Sequence, residues 1–331
     1  MQNYTFSNFM AYIKTSRHGG LLEVTLFDIA VIGGDSRLVY MADALKKIGY
    51  SVICYGTFDT GSDMASAVKA GSLAEALSCS KCVAGGIPFS RNNSICAGVE
   101  CLDLELPVLY QNAAGMEALF GGLITEEVRE YCEQQGICCC DYMKDEALSI
   151  FNAVPTAEGA ILDAMKNHPA ALHGSGCLIL GYGRCAKVLA EKLKGLSAEV
   201  TVCCRSEQQR AAAQASGLTA EPLERLPKII QGKTFIFNTV PGMVLEEESL
   251  VRTDADVLII DIASGKGGVD FECARKLKRK TMLVPGLPGR YAPQTSGEGY
   301  AAYIDRQLRM MHILAPEGEN SNSVGRKEVW N

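Results

Sequence analysis

Two motifs in the second half of the chain have the residue types and the spacing needed to bind a nucleotide. The first, Gly181-x-Gly183-x-x-Ala186, has the glycine spacing of a dinucleotide-binding turn. In such a turn the glycines let the backbone approach a pyrophosphate, and the helix that follows offers unpaired N–H groups and a partial positive charge. A plain strand–turn–helix with two glycines is the alternative. The motif, however, follows a predicted strand and leads to another strand within about 20 residues, as nucleotide binding requires.

The second motif, Arg205-Ser206, indicates which nucleotide would bind. An enzyme that uses NAD normally presents Asp or Glu at this point to the ribose 2′-hydroxyl, but this chain has Arg205-Ser206 directly after the predicted strand Glu199–Cys204. A planar guanidinium can pair with a 2′-phosphate, and a serine hydroxyl can add a further contact, so the motif favours NADP(H). An arginine that merely faces solvent is the alternative.

Three loops rich in Gly, Pro, Ser and Thr should complete this site, because ligands of open parallel sheets bind beyond the carboxyl ends of the strands. The loops follow predicted strands at 234–237, 257–261 and 281–284. Turn chemistry accounts for any single residue in them, but three such loops at one edge indicate a binding site. The predicted cofactor-binding residues are Gly181, Gly183, Arg184, Cys185, Arg205, Ser206, Asn238, Thr239, Val240, Pro241 and Gly286.

Two β-α units must position these residues, and the hydrophobic pattern predicts both. The first comprises a strand at 27–32, an Asp35-Ser36 helix cap and a strand at 51–55; the second comprises the strands 176–180 and 199–204 around a helix. The apolar helical faces are Leu38, Met41, Ala42, Leu45 and Ile48, and Ala186, Leu189, Ala190 and Leu193. We therefore predict an α/β fold with two Rossmann-like, doubly wound parallel-sheet domains separated by a cleft.

The predicted domains are a first, substrate-binding domain (1–151 plus 296–331) and an NADP-binding domain (152–295). Further strands of the first domain are predicted at 83–87, 108–110 and 138–140. A helix that starts near Pro155 and runs to about His168 links the domains. A second helix, from Ser296 to about Ile313, should return to the first domain with Tyr300, Tyr303, Ile304 and Leu308 on one face.

Composition excludes several classes of protein. The 331 residues are 47% hydrophobic and 21% charged with a net charge of −6, which is typical of a globular protein and not of a nucleic-acid-binding one. The apolar stretches are interrupted before they could span a membrane, and the segment 1–20, an extension or a poorly ordered start, lacks the features of a signal peptide. We expect a cytoplasmic protein whose last residues, 315–331, are loose.

The fourteen cysteines are expected to be reduced thiols. Cys79-x-x-Cys82 has the spacing of half a metal site, and Cys138-Cys139-Cys140 could supply further ligands. Without a second clean pair or a histidine partner, the better interpretation of the triple cysteine is a buried strand that uses cysteine as a small hydrophobic residue. We therefore predict no metal site.

Four segments together resemble the family formed by the A subunit of dipicolinate synthase: Gly33–Arg37, Asn152–Gly159, His173–Ser175, and Pro285–Gly289 with Ala292-Pro293-x-Thr295. The resemblance runs from about Asp28 to Leu308; the N-terminal extension and the abundant cysteines depart from it. It implies formation of pyridine-2,6-dicarboxylate from 4-hydroxy-tetrahydrodipicolinate, a branch from lysine biosynthesis, with NADP as acceptor. It also implies, as partner, the flavoprotein-like B subunit of the synthase, and it implies the mother-cell cytoplasm of a sporulating bacterium. The cofactor loops are similar to those of shikimate and methylenetetrahydrofolate dehydrogenases.

A substrate with two carboxylates calls for guanidinium and hydroxyl donors. The predicted substrate-binding residues are Arg37, Ser90, Thr156, Arg290, Thr295 and Ser296. For each arginine, a structural ion pair is the alternative. No general base is evident, because none of His18, His168, His173 and His312 belongs to a recognisable dyad, and the carboxylates of Glu158 and Asp35 could equally cap helices.

Two other functions compete with this enzyme. A pyridine-nucleotide-sensing regulator would bind the cofactor without turnover, but the DNA-binding module or charged tail that it would need is not visible. A different two-lobed dehydrogenase of a small acid would normally offer a Lys-Asp or His-carboxylate pair, which is not found. The oligomeric state, including a homo-oligomer, is left open.

Overall fold

The computed structural model describes residues 27–58, 68–101 and 103–316. The predicted N-terminal extension and most of the predicted loose C-terminal segment lie outside these residues. The chain divides into two compact units, one that ends at Leu148 and resumes at Pro293, and one that comprises Ser149–Ala292. Both divisions fall three residues before the boundaries predicted from the sequence.

The first unit contains a six-stranded, fully parallel sheet of order β3-β2-β1-β4-β7-β8 and a small hairpin, β5–β6. Its strands are β1 (Phe27–Ile32), β2 (Val52–Tyr55), β3 (Val68–Lys69), β4 (Ser80–Ala84), β5 (Ser90–Arg91), β6 (Ser94–Ile95), β7 (Ala118–Gly121) and β8 (Cys138–Asp141). Its helices are α1 (Ser36–Ile48), α2 (Leu73–Ser78), α3 (Leu106–Asn112) and α4 (Glu126–Gln135), with α12 (Pro293–Met310) added from the end of the chain. The helix α5 (Glu146–Asn167) contains the division between the units.

The second unit repeats this plan, with the sheet order β11-β10-β9-β12-β13-β14. Its strands are β9 (Gly176–Leu180), β10 (Glu199–Cys204), β11 (Thr219–Pro222), β12 (Phe235–Asn238), β13 (Leu258–Asp261) and β14 (Lys280–Leu283). Its helices are α6 (Arg184–Gly195), α7 (Glu207–Ala215), α8 (Leu226–Ile229), α9 (Glu247–Leu250), α10 (Phe271–Lys276) and α11 (Leu287–Tyr291). In order along the chain, the strands of both sheets lie 3-2-1-4-5-6, the Rossmann arrangement, and this confirms the predicted fold class.

Successive side chains of a strand point to opposite faces, so the strands of the second unit supply apolar side chains to a layer on each face of the sheet. In β9, Cys177 and Ile179 belong to one apolar layer, whereas Leu178 and Leu180 belong to the other. The predicted helical face of α6 (Ala186, Leu189, Ala190 and Leu193) is fully buried in the first of these layers, as the 3.6-residue period requires. No helix in the described part of the chain is long and apolar enough to cross a bilayer.

Two predictions of secondary structure and one of burial are wrong. The segment 108–110 is not a strand but part of α3, whose first turn contains Pro107 and whose Leu106 and Leu109 face the core. The linking helix α5 does not begin near Pro155 but at Glu146, with the proline inside it. The cysteines of β8 form the predicted strand, yet Cys138 is exposed and its two neighbours are only half-buried, because β8 lies at the edge of its sheet.

The glycine pair of the first unit does not form an open turn. Gly33 and Gly34 follow β1 at the point where the strand order reverses, the usual ligand position of such a sheet. The N–H of Gly34 donates to the carbonyl of Cys96 over 2.7 Å, and the N–H of Gly98 donates to the carbonyl of Gly34 over 2.7 Å. A Cβ atom on Gly86 would lie 2.8 Å from the Cα atom of Gly34. Main chain therefore fills the position that a ligand would take.

Candidate cofactor-binding site

A cavity of about 350 Å³ lies at the carboxyl ends of β9, β10 and β12 in the second unit. Seven of the eleven predicted cofactor-binding residues line it: Gly181, Gly183, Arg205, Ser206, Thr239, Val240 and Pro241. Sequence analysis missed its other lining residues, Tyr182, Cys203, Cys204, Gln209, Leu223 and Val244. The structure thus brings the glycine turn, the Arg-Ser pair and the loop after β12 together around one cavity.

The two glycines of the turn have different roles. Gly181 has a φ of 90°, and a Cβ atom there would lie 2.6 Å from Thr239 Oγ1, so the backbone and its neighbour both require glycine. Gly183 is the N-cap residue of α6, and a Cβ atom there would meet nothing within 4 Å. No side chain caps this helix, so the surface at Gly183 is an open approach to a helix N-terminus.

The Arg-Ser pair occupies the turn after β10. The side chain of Arg205 is exposed at the cavity, and Ser206 caps α7 by accepting a hydrogen bond from the N–H of Gln209 over 3.3 Å. Arg210, which the sequence analysis did not single out, donates to the carbonyls of Cys204 over 3.0 Å and of Arg205 over 2.7 Å. Arg210 therefore fixes the backbone that carries Arg205.

Asn238 lies behind the cavity and shapes the loop in front of it. Its amide donates to the carbonyl of Val240 and accepts from the N–H of Val240, each over 3.0 Å. Thr239 Oγ1 donates to the carbonyl of Leu180 over 2.8 Å, which ties the same loop to β9. These bonds hold residues 239–241 against the glycine turn.

Asp261 joins this loop to the next one and was missed as a site residue. Its carboxylate is fully buried and accepts from the amide of Asn238 over 3.0 Å, from the N–H of Ala263 over 2.9 Å and from the N–H of Gly268 over 2.7 Å. A carboxylate directly after the apolar strand residues 258–260 was the sequence signal for it, because a buried carboxylate needs donors from neighbouring loops.

Besides Asn238, three predicted cofactor-binding residues do not line the cavity. Arg184 and Cys185 form the first turn of α6, and burial raises the pKa of the Cys185 thiol. Gly286 precedes α11 with a φ of 69° and is exposed. These three residues, like the seven that line the cavity, stay predictions as cofactor ligands.

The first unit does not support three of the predicted substrate contacts. The Arg37 guanidinium is 6% exposed; its Nε and Nη2 donate to Asp35, and its Nη1 donates to Tyr300 over 2.8 Å. Burial lowers the pKa of Arg37, but Tyr300 and Asp35 together raise it above its ordinary value. Ser90 and Ser296 are 5% and 0% exposed, which leaves their hydroxyls no surface for a ligand in this conformation. Thr295, in contrast, is exposed.

The predicted substrate residues of the second unit are more accessible. Arg290 in α11 is 49% exposed and lies 3.8 Å from the buried carboxylate of Asp163, to which Tyr291 also donates. The hydroxyl of Thr156 donates to the carbonyl of Asn152 over 2.7 Å, so its proton is already used. Glu158 forms an ion pair with Lys192 over 2.8 Å and does not cap a helix end.

In the described part of the chain, neither His168 nor the pair Cys79 and Cys82 belongs to a metal-binding cluster. His168 Nε2 lies 2.9 Å from the carbonyl of Asp256, a structural contact, and His18 lies outside the described residues. Cys79 follows the last residue of α2, whereas Cys82 is buried in β4. Within residues 27–58, 68–101 and 103–316, no three metal-binding side chains come together.

Comparison with known proteins shows which family the chain resembles. A model described as the N-terminal domain of the A subunit of dipicolinate synthase matches residues 28–143. The A subunit of dipicolinate synthase of Bacillus subtilis (strain 168) is 28% identical over 310 residues, which cover 89% of this chain and 100% of that protein. The crystal structure of the A chain of the B. subtilis synthase has a TM-score of 0.76 at 27% identity, with 86% of this chain and 97% of that chain covered.

Two further solved structures show the fold alone, since their identities are below 25%. The A subunit of dipicolinate synthase of Bacillus halodurans has a TM-score of 0.75 at 24% identity, with 86% of this chain and 98% of that chain covered. A transhydrogenase from Sinorhizobium meliloti has a TM-score of 0.61 at 12% identity, with 86% and 95% covered. The two-sheet architecture is therefore shared with proteins of quite different sequence.

Proposed function

The chain belongs to the family of the dipicolinate synthase A subunit, and from this premise we propose that it is an NADP-dependent oxidoreductase that forms pyridine-2,6-dicarboxylate. The substrate is 4-hydroxy-tetrahydrodipicolinate, which loses one water and two electrons to become aromatic. Bound NADP would supply the hydride acceptor for this oxidation, and the aromatic product supplies driving force. The chain's own task is mainly to place the two reactants.

The cavity in the second unit carries the cofactor part of the proposal. It combines an uncapped helix N-terminus, open space at Gly183 and an exposed guanidinium at Arg205. The first two features suit a pyrophosphate, which needs backbone N–H donors and close approach. The third suits a 2′-phosphate, which a guanidinium can bind through two parallel hydrogen bonds. This one grouping is the observation on which the proposed function depends.

Arg290 is the best-supported residue for a substrate carboxylate. It follows β14 in the chain, and therefore lies at the same carboxyl edge of the sheet as the cofactor cavity. Its guanidinium is half-exposed, lies 3.8 Å from the Asp163 carboxylate and forms a side-chain hydrogen bond with Tyr291. The exposed hydroxyl of Thr295 is a second candidate donor. A general acid or base is not part of the proposal.

We also propose the two expectations that come from the family. The partner is the flavoprotein-like B subunit of the synthase, and the place of action is the mother-cell cytoplasm of a sporulating bacterium. The proposed cofactor-binding roles of Gly183 and Arg205 do not depend on this partner or on this location.

The function is tested by incubating the purified chain with 4-hydroxy-tetrahydrodipicolinate and NADP, with and without the B subunit, while the absorbance of dipicolinate is followed. Product in either mixture, lost in the Arg205→Ala variant, supports the proposal. Product only when both proteins are present supports the partnership. Tight NADPH binding without product in either mixture would instead favour a nucleotide sensor.

A further inference from the structure

A basic cluster that the proposed reaction does not use lies in the second unit. Five of the six residues 275–280 are lysine or arginine, although the chain as a whole has a net charge of −6. They occupy the end of α10, the turn after it and the first residue of β14. Because β14 is parallel to β13, this first residue, Lys280, lies where the strands of the sheet begin, whereas the cofactor cavity lies where they end. The cluster therefore belongs to a different surface from the cofactor cavity.

An open cavity of about 780 Å³ is lined by four of these cations: Arg275, Lys278, Arg279 and Lys280. Residues of both α10 and β14 form its wall. The acidic residue among those that line it, Glu272, forms an ion pair with Lys276 over 3.5 Å. The wall of the cavity therefore carries a net positive charge.

Two of these cations are held by uncharged oxygen atoms. The Arg279 guanidinium donates to the hydroxyl of Thr253 over 2.8 Å, and to the carbonyls of Thr253 and Leu277 over 2.9 Å and 3.0 Å. The amine of Lys280 donates to the carbonyl of Asn167. Because none of these acceptors is a carboxylate, the bonds fix the two side chains without neutralising their charge.

The strand next to this cavity, β14, has an outer edge with unpaired main-chain groups. In the described part of the chain it pairs with β13 and with no other strand. The N–H of Val284 donates to the carbonyl of Asp261 over 2.9 Å, so residues 282 and 284 direct their main-chain groups towards β13. Those of Thr281 and Leu283 then point away from the sheet, and no hydrogen bond to them is found among the described residues. Leu283 is 38% exposed, so this edge is accessible to a further strand.

We propose that β14 binds an extended acidic segment of a partner protein, which pairs with the outer edge of β14 and places its carboxylates against Arg275, Lys278 and Arg279. The open edge requires a polypeptide, because strand pairing needs alternating N–H and C=O groups. The cations favour carboxylates, which pair with guanidinium and ammonium groups. A nucleic acid or an anionic membrane would contact the cations alone. This interaction does not depend on the proposed function.

The test measures the binding of a short, end-blocked and fluorescently labelled peptide that alternates glutamate and valine, using fluorescence anisotropy and the intact chain. We expect binding that weakens as salt is added, and that falls about tenfold in the double variant Arg275→Gln/Lys278→Gln. The matched control, Arg225→Gln/Lys228→Gln, removes two exposed cations with the same spacing elsewhere in the second unit and should keep the affinity. Equal affinities of the two double variants, or no binding by the unchanged chain, would overturn the proposal.

Two further peptides of the same charge distinguish strand pairing from attraction between charges. Methyl groups on the amide nitrogens of alternate residues block one edge of a peptide strand and leave the other edge able to pair. One peptide carries these methyl groups on its glutamates and the other on its valines. We expect one of them to lose binding and the other to keep it. Equal affinities of these two peptides would contradict strand pairing, and so would binding of inorganic polyphosphate by a chain that binds none of the peptides.

Discussion

The side-chain amide of Asn238 donates a hydrogen bond to the carboxylate of Asp261 over 3.0 Å, and both residues are fully buried. This bond links the end of β12 to the end of β13, and so connects the loops that follow these two strands. Because the first of these loops lines the cavity, the pair acts on the proposed cofactor site without touching it.

Replacement of Asp261 by Asn should destabilise the chain. The carboxylate accepts from the N–H groups of Ala263 and Gly268 and from Asn238, whereas an amide offers one acceptor oxygen and leaves a buried donor unpaired. The expected loss is about 1–3 kcal/mol in the free energy of unfolding, measured in urea. Asp256→Asn, at an exposed position, is the control and should stay within about 0.5 kcal/mol. Equal stabilities of the two variants would contradict this account of Asp261.

The two glycines of the turn should respond differently to alanine. Gly181→Ala meets both a left-handed backbone and Thr239, so we expect a loss of about 1–3 kcal/mol of stability. Gly183→Ala meets open space and should change stability by less than about 1 kcal/mol. It should nevertheless weaken NADPH binding about tenfold or more, or about 1.4 kcal/mol, because the methyl group occupies the approach to the helix N-terminus. Thermal unfolding and calorimetric titration of both variants check this, and normal NADPH affinity of Gly183→Ala would argue against the site.

Arg205→Ala should weaken the binding of NADPH far more than that of NADH. The reason is that a charged hydrogen bond to the 2′-phosphate, worth about 1.5–3 kcal/mol, exists only with the phosphorylated cofactor. The measurement is the ratio of the two dissociation constants. Arg225→Ala removes an exposed arginine paired with Glu221 and should leave the ratio unchanged. Equal losses for both cofactors in Arg205→Ala would defeat the assignment of NADP.

Arg210→Ala should also reduce NADPH affinity, although Arg210 is given no contact with the cofactor. The variant loses the two hydrogen bonds to the carbonyls of Cys204 and Arg205 and so releases the turn that carries Arg205. We expect a smaller loss than in Arg205→Ala, partial recovery in Arg210→Lys, and no further loss when Ala is placed at both positions. Fully additive losses would show that the two arginines act independently.

Arg37→Met tests whether this arginine stabilises the fold. The change removes the side-chain hydrogen bonds from Arg37 to the Asp35 carboxylate and to the Tyr300 hydroxyl, which are made by a buried guanidinium, so the free energy of unfolding should fall by about 1–3 kcal/mol. Lys47→Met, which removes a highly exposed partner of Asp43, should cost less than about 1 kcal/mol. Full stability of Arg37→Met together with loss of substrate binding would restore the original prediction for Arg37.

The strongly periodic parts of the fold could be predicted from the sequence. The predicted strands 27–32, 176–180 and 199–204 coincide with β1, β9 and β10, because each is a short apolar run followed by a glycine turn or a polar turn. The strand predicted at 108–110 is wrong, since a three-residue apolar run fits a strand or a helix equally well. Pro155 misled the prediction because proline is common in the first turn of a helix, whereas α5 begins well before it, at Glu146.

The sequence could predict those residues of the candidate site whose type and spacing match a known binding motif. The glycines and Arg205 could be selected by residue type and spacing, and they line one cavity, while their roles as cofactor ligands stay predictions. Arg210 and Asp261 act only through hydrogen bonds to backbone and side chains of other segments, and such partners are set by the folded geometry. For the same reason, the sequence did not show that the Arg37 guanidinium is already hydrogen-bonded. Its partner Tyr300 lies 263 positions away in the chain.

The covered turn at Gly33 and Gly34 bears on the number of dinucleotide molecules that one chain can bind. The chain contains two sheets of one plan, but among the described residues the carbonyl and amide groups of residues 96–98 already satisfy the equivalent turn of the first sheet. If the cavity in the second unit is the NADP(H) site, a titration of the chain with NADPH should therefore saturate at one equivalent. Binding of a second equivalent would show that residues 96–98 do not keep the coenzyme from the turn at Gly33 and Gly34.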